Sequence, residues 1–503
     1  MNIVTLRTVR SAALLAAVSI VALTHAHHAT AQLAPSPEWR QVLPTGPIPG
    51  TRMTDEFVKE VGKLAYVWAY PMVNLQSRQD IFGKVKEAGL LNGVLPAAPI
   101  NELAMLTGYI DPAQRAVAAP NQDVVYGQAV LDLSKEPVVV QVPDFEGRFF
   151  MYQALDQRTD AFAEIGSMYG TRIGYYLLAG PDWRGEMPKG IANIYRSPTN
   201  VAFLFPRIFM SDTPEDKKAL MEKLQYVMAY PLSQYDRVPK KRDWSTLKPV
   251  KVGDSSSGAE IKWVNPENFP EEFARVVENV KPMAGEETLH ALFKSLSDAA
   301  ARNPRVKEIL KQAAIEADKT IVAPMFDSTN FGVQLPHNWS TITNGAEFGS
   351  DYYTRAAAAK ANIFINKPNE ARYFSQTTDE KGQPLNGKNR YTVTFAKGTP
   401  PVAGFWSLTL YNKNRFFEPN EMKRYSVGTK NKDLKLNPDE SLTLYVQADA
   451  PTDPAQRANW LPAPKDDFQL YLRAYWPKVS IADGSWSPPA VKQLGEARAV
   501  GKQ

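Results

Sequence analysis

Asn121, Asp123 and Tyr126 fall within one short stretch, with Arg148 and Asp156 following soon after. Asp123 comes after Pro120-Asn121, where a loop enters a strand, and such junctions often carry functional side chains. An Asp there can act as a base or a metal ligand, or it can bond the loop's own N–H groups as an Asx turn. Arg148, after Gly147, has the fork geometry to clamp a ligand carboxylate, or it pairs with Asp144 or Asp156 inside the protein. Asp123, Asp156 and Arg148 are therefore the candidate catalytic residues, with Asn121 and Tyr126 as candidate ligand contacts beside them. Arg207, after Pro206 at the end of an apolar run, is a similar ligand candidate.

A second constellation is aromatic and cationic: Trp406, Tyr411, Arg424, Tyr425, Trp460, Arg473, Tyr475 and Trp476. Strand alternation in FWSLTLY puts Phe405, Ser407, Thr409 and Tyr411 on one face and Trp406, Leu408 and Leu410 on the other, a core face. By the same rule Tyr471, Arg473 and Tyr475 share one face of a later strand, opposite Leu470, Leu472 and Ala474. A Tyr-Arg-Tyr face is not ordinary core. It can stack a sugar ring, fix an anion, or meet the other half of the protein. Tyr411, Arg424, Tyr471, Arg473 and Tyr475 are the ligand candidates here.

Several familiar chemistries are absent from the sequence. There is no G-x-S-x-G elbow, H-E-x-x-H, Walker loop or G-x-G-x-x-G turn. The chain has no Cys, which removes disulfides, thiol nucleophiles and thiolate metal sites. Of the five His, only His290 and His337 lie beyond the N-terminal leader, too few for a three-histidine zinc site. His290 sits in a helical stretch and His337 in a loop, where it could serve as a base. No metal or cofactor is evident. Paired carboxylates would suit glycoside cleavage, but among 53 acidic residues many pairs arise by accident.

The N-terminus reads as a Sec-type secretory signal over residues 1–31. Arg7 and Arg10 form its positive region, Ser11 to Leu23 its apolar run, and Ala29-Thr30-Ala31 its cleavage site. The apolar run has 13 residues, short of the roughly 20 that span a bilayer. No later run is long enough, so a periplasmic or secreted protein without a membrane span after cleavage is expected. The formal net charge is +5, and losing Arg7 and Arg10 with the leader leaves +3. So mild and dispersed an excess argues against a nucleic-acid partner. The 472 residues that remain exceed one comfortable core and suit two domains. The residues do not fix an oligomeric state.

The elements that must position the candidates follow from periodicity. Residues 32–53 form a Pro-rich leader, and a helix starts at Thr54 and ends before Pro71, with a second near Arg78 to Leu90. From Val124 the runs VVYGQAVLDL, EPVVVQVP, RFFMYQALD, IGYYLLAG and VAFLFPRIF read as short strands. Pro214 to Tyr230 reads as helix, Lys240 to Gly258 as linker, Pro270 to Asp318 as consecutive helices, and Asp351 to Asn362 as helix. ARYFSQ, YTVTFA, VAGFWSLTLY, SLTLYVQ and FQLYLRAYW return to strand.

The motifs YVWAYP (66–71), PNQDVVYGQAVLDLSKEPVVVQVPD (120–144), GRFFMYQALD (147–156) and GPDWRGEMPKG (180–190) occur in the first half. DYYTRAA (351–357), DEKGQPLNGKNRYTVTF (379–395), PPVAGFWSLTLYN (400–412), RYSVG (424–428), NWLPAP (459–464) and FQLYLRAYWP (468–477) follow in the second. With these motifs the chain resembles bacterial exported proteins that pair domain of unknown function 1254 with domain of unknown function 1214. One departure is Val124, where the resemblance calls for Thr, so no hydroxyl role transfers to that position. The resemblance implies an α+β protein of two antiparallel β-sandwich-like, jelly-roll-type domains joined by a helical connector, with a helix N-terminal to each. The expected divisions are 54–240, a connector over 241–350, and 351–490. No reaction is implied. The expectation is binding of a small molecule or glycan in the cell envelope, against a carboxylate/Arg/Tyr hydrolase or lyase, or a structural role.

Overall fold

Thr54 caps the first helix, α1 (Asp55–Phe82), its side chain accepting from the Phe57 N–H, with Asp55 and Glu56 in the first turn. The computed structural model describes residues 47–251, 261–397 and 399–496, so the expected signal and most of the Pro-rich leader lie outside the described residues. The expected break at Pro71 and separate helix near Arg78 are not found, because α1 runs straight through Pro71. An interior proline costs about 3 kcal/mol in a helix held by propensity alone. Here every residue from Ala65 to Gln76 is buried, and packing on all sides sustains the helix across the lost backbone bond.

The first half continues as β1 (Gly89–Leu91), β2 (Leu95–Ala97), β3 (Leu103–Met105), β4 (Val124–Asp132), β5 (Val138–Val142), β6 (Phe150–Asp156), β7 (Gly174–Ala179), β8 (Ile191–Arg196) and β9 (Val201–Phe209). Then come α2 (Pro214–Leu224), β10 (Met228–Pro231) and β11 (Pro249–Val250). The helix expected as far as Tyr230 thus ends early, and its last residues pair with β5 instead, where Ala229 and Tyr230 are buried. Two four-stranded sheets dominate this half, in the orders β3-β4-β9-β6 and β10-β5-β7-β8.

Three helices follow: α3 (Phe269–Asn279), α4 (Glu287–Arg302) and α5 (Pro304–Ala317). They pack back onto α1. Tyr66 donates to Asp318 (2.8 Å) and Trp68 to Glu286 (2.6 Å), and Trp68 stacks among Phe273, Phe293 and His290.

The second half runs β12 (Val333–Gln334), β13 (Ser340–Thr341), α6 (Tyr352–Ala361), β14 (Ala371–Gln376), β15 (Asn389–Phe395), β16 (Trp406–Asn412), β17 (Ser426–Gly428) and β18 (Leu442–Gln447). It closes with α7 (Pro454–Ala458), β19 (Trp460–Pro462), β20 (Phe468–Tyr475), α8 (Val479–Ala482) and β21 (Val491–Glu496). One sheet has the order β12-β13-β14-β20-β16-β17 and another β19-β18-β15-β21. The protein is mixed α+β, with eight helices among the described residues and mostly antiparallel sheets; β1–β11, β7–β8 and β18–β19 pair in parallel.

β20 is central to its sheet and every one of its residues is buried. Leu470, Leu472 and Ala474 join Trp406, Leu408 and Leu410 in one apolar cluster with Val393 and Leu444 of the other sheet. Tyr471 and Tyr475, with Phe405 and Tyr411, belong instead to the larger cluster that holds the first half's strands and α1. The Tyr-Arg-Tyr face therefore meets the first half of the chain.

Gly428 on β17 stands opposite Ser407 on β16. A Cβ there would overlap the Trp406 carbonyl oxygen and come within 2.7 Å of the Ser407 Cα, backbone atoms that cannot rotate away. Gly428→Ala should cost about 1–3 kcal/mol or more, read as a fall of several degrees in the circular-dichroism melting temperature. An unchanged melting temperature would refute this β16–β17 pairing.

Candidate functional site

Five consecutive residues, Ala119 to Asp123, carry the first half onto the polar face of the second. The Ala119 N–H donates to the Arg415 carbonyl (2.8 Å), and the Ala119 carbonyl accepts from Arg473 Nη2 (2.8 Å). The Pro120 carbonyl accepts from the Tyr411 hydroxyl. Asn121 Nδ2 donates to the Tyr475 hydroxyl (3.3 Å). Gln122 accepts from Lys430 Nζ at its carbonyl (2.7 Å) and from the Tyr425 N–H at its side chain (3.3 Å). Asp123 accepts from Ser407 Oγ (2.5 Å) and Ser426 Oγ (2.9 Å), with Lys430 Nζ at 3.7 Å. An Asx turn does form here, but Asn121 makes it, accepting from the Asp123 N–H (2.8 Å). That leaves the Asp123 carboxylate for the other half. Burial pulls the Lys430 ammonium below its ordinary value, against the fields of Asp123 and Asp212.

Beside this segment lies a cavity of about 50 Å3 lined from both halves, with Tyr126, Gln128 and Arg207 on one side and Tyr373 and Arg473 on the other. Tyr126 and Arg207 face each other in register across β4 and β9, the guanidinium 5.4 Å from the ring centre. Arg207 donates to the Tyr475 hydroxyl (3.0 Å), Gln153 Oε1 (2.6 Å) and the Phe364 carbonyl (2.6 Å), while its Nε has no acceptor. Arg473 donates to Thr409 Oγ1 (2.9 Å) and the Tyr411 hydroxyl (2.7 Å), and Tyr373 and Ser407 flank it in register on β14 and β16. Tyr471 completes the cluster, its ring 5.2 Å from the Arg473 guanidinium. Tyr373 donates to Asn366 (2.5 Å), which donates on to Glu370 (3.1 Å).

These neighbours divide the phenols. Burial pushes Tyr126 up to about 12 against the pull of Arg207, and burial pushes Tyr373 well up. For Tyr475 burial also favours the neutral form, but Arg207 and Arg473 outweigh it and draw the phenol below its ordinary value. Burial works against both guanidinium charges too, and the tyrosine oxygens around them more than offset it.

Of the sequence candidates, Asn121, Tyr126, Arg207, Tyr411, Tyr471, Arg473 and Tyr475 come together, with Asp123 at the edge of the same seam. Arg148 does not. It pairs with neither Asp144 nor Asp156 but makes a bidentate bridge to Asp216 on α2 (2.6 and 2.7 Å). Asp156 lies at the far end of β6, roughly 20 Å along the strand from the Asp123 end of the sheet. There it accepts from the Arg158 and Asp160 N–H groups (2.9 Å each). Arg424 is half-buried elsewhere, donating to the Ala458 and Trp460 carbonyls. Asp123, Arg148 and Asp156 thus form no common site. Neither histidine joins one either: His290 Nε2 bonds the Val280 carbonyl, and His337 is exposed. Sequence reasoning missed Tyr373, Gln153, Asn366 and Lys430. Only Tyr373 carried a signal, by alternation within ARYFSQ.

The fold and seam define a two-part α+β protein whose halves share one buried polar face. Residues 100–231 match the family described as Protein of unknown function (DUF1254), and residues 370–479 match that described as Protein of unknown function (DUF1214). The chain carries the two regions in that order, as its motifs imply. Its structure is similar to the crystal structure of the VPA0106 protein from Vibrio parahaemolyticus, at 23% identity and a TM-score of 0.60, covering 87% of this chain and 100% of that one. A putative uncharacterized protein from Burkholderia cenocepacia aligns over 87% of this chain and 94% of that one, at 10% identity and a TM-score of 0.43. No curated protein matches the chain. The likeness to the Vibrio parahaemolyticus protein concerns fold alone.

Two predictions follow from the buried acids. Asp123→Ala would strand Lys430, a loss of about 3–5 kcal/mol for a broken buried pair. Adding Lys430→Met should restore much of it, and thermal melts of the single and double variants would measure the coupling. A single variant as stable as the parent would deny the seam this role. For Asp156, burial and the nearby Asp160 raise the carboxyl from 3.8 to about 7, against Arg355 and Arg158. The folded state then holds this proton more tightly than the unfolded chain. Its contribution is fully present below about pH 4 and is lost as pH rises through about 7. The parent should therefore lose stability relative to Asp156→Asn between pH 5 and 8, by a few kcal/mol at most. A difference that stays constant with pH would rule this out.

Proposed function

We propose that this protein binds a small molecule in the cavity between its two halves. The observation that carries the reading is that this cavity is walled by side chains from an inner strand of each facing sheet, β9 and β20. Ligand sites favour such boundaries, with apolar walls and a few placed polar groups. Leu95, Ile110, Val117, Phe205 and Phe364 supply the apolar part here. The small volume favours a small molecule over a glycan. The hydrolase or lyase alternative draws little support from a carboxylate set that does not converge. We read the second half as sandwich-like, supported by the apolar cluster its two sheets share. The leader motifs in residues 1–31 support export to the envelope, where the ligand would be met.

Val117 is only partly buried and lines the cavity, so a larger side chain can fill the space without disturbing the seam. In a thermal-shift screen of small metabolites, a ligand of this site should raise the melting temperature of the parent. Val117→Phe should lose that shift while its unliganded melting temperature stays within a few degrees. A shift that survives Val117→Phe would place binding elsewhere, and a screen without any shift would count against the reading.

A further inference from the structure

We propose that the cavity's ligand is a small anion, a one-carbon carboxylate held by Arg207 and Arg473; this rests on the cavity being a binding site. Both arginines line the cavity, and they are 5% and 1% exposed. Among the described residues, no Asp or Glu oxygen lies within ion-pair distance (4.0 Å) of either. Two of the other buried arginines have carboxylate partners. Arg158 pairs with Glu286 at 2.9 Å and Arg355 with Asp160 at 2.8 Å. A buried charge is strongly unfavourable unless it is paired.

The cavity's own groups do not balance the charge. The two arginines draw the Tyr475 phenol below its ordinary value, and even a full negative charge there would be a single one. Two guanidiniums against one phenolate still leave a positive site. Arg415, through its carbonyl, accepts from the N–H of Ala119, the cavity-wall residue that Arg473 holds from the other side.

Ala119 itself is held at φ 52°, a left-handed conformation unfavourable for a residue with a Cβ. The two arginines on either side of it hold this part of the wall, in keeping with strain kept at a functional site.

Size narrows the class. At about 50 Å3 the cavity is a third of the roughly 150 Å3 that admits benzene, so a sugar, an aromatic acid or an acid with a longer alkyl tail does not fit.

The test compares formate with formamide, equal in shape but not in charge, by isothermal titration of the full chain in buffer free of other carboxylates. Formate should bind at least tenfold more tightly, in line with charge-assisted bonds. Arg473→Gln should weaken formate at least tenfold and leave formamide unchanged. Should that variant fail to fold, the parent's two affinities decide alone. Equal binding of the two compounds would overturn the anion and leave the cavity reading standing. So would no binding of either, alongside a Val117→Phe-sensitive shift with an uncharged compound. No binding of any compound would overturn both.

Discussion

The structure depends on burying a sheet face that is polar. β20 is covered on both sides, so Tyr471, Arg473 and Tyr475 are as buried as Leu470, Leu472 and Ala474. An apolar face can meet any other apolar face, but a face of this kind needs a bonding partner for every group, since each buried unsatisfied group costs about 1–3 kcal/mol. Ala119 to Asp123 provide those partners one residue at a time, through backbone carbonyls at Ala119, Pro120 and Gln122 and side chains at Asn121 and Asp123. Pro120 takes part through its carbonyl alone, having no N–H to satisfy.

This requirement ties the two halves more specifically than apolar contact would. Sliding β20 by one residue would bring Ala474 or Trp476 against Arg207 in place of Tyr475 and turn Arg473 toward Leu408 and Leu444. Each half thus fixes the other's register. The helices serve the same seam from behind: Arg158 bonds Glu286 just ahead of α4, and Glu286 also holds Trp68 of α1 and Tyr352 of α6.

What was legible in the sequence was local. Thr54 and Asp351 cap helices as their types suggest, and alternation in FQLYLRAYW gave the two faces of β20 correctly. Pro71 misled because the cost of an interior proline is local, whereas the burial that outweighs it comes from α3, α5 and α6. The grouping of Asp123, Arg148 and Asp156 misled for a geometric reason. Nearness along the chain says nothing about which end of a sheet a residue reaches, and antiparallel pairing sends Asp123 and Asp156 to opposite ends. Arg148 found Asp216, beyond four intervening strands, and no spacing rule reaches so far. Arg207 and Arg473 were readable as unusual residues, but their meeting rests on contact between two sheets whose strands are over 200 positions apart.

The distribution of charge along the seam is selective. The Asp123 carboxylate stands two residues from Asn121, which bonds Tyr475, yet it turns to Ser407, Ser426 and Lys430. That end of the seam is a buried pair of opposite charges. At the other end two arginines keep their charge, bond only neutral oxygens and phenols, and border open space. An acid placed to neutralise them would have filled that space and joined the halves as Asp123 does. Lys430 at one end and the arginines at the other meet the same desolvation cost, and only the lysine is met by a carboxylate of the chain. The imbalance therefore falls where the fold leaves room for something else to correct it, which sets the arginine end apart from the rest of the interface.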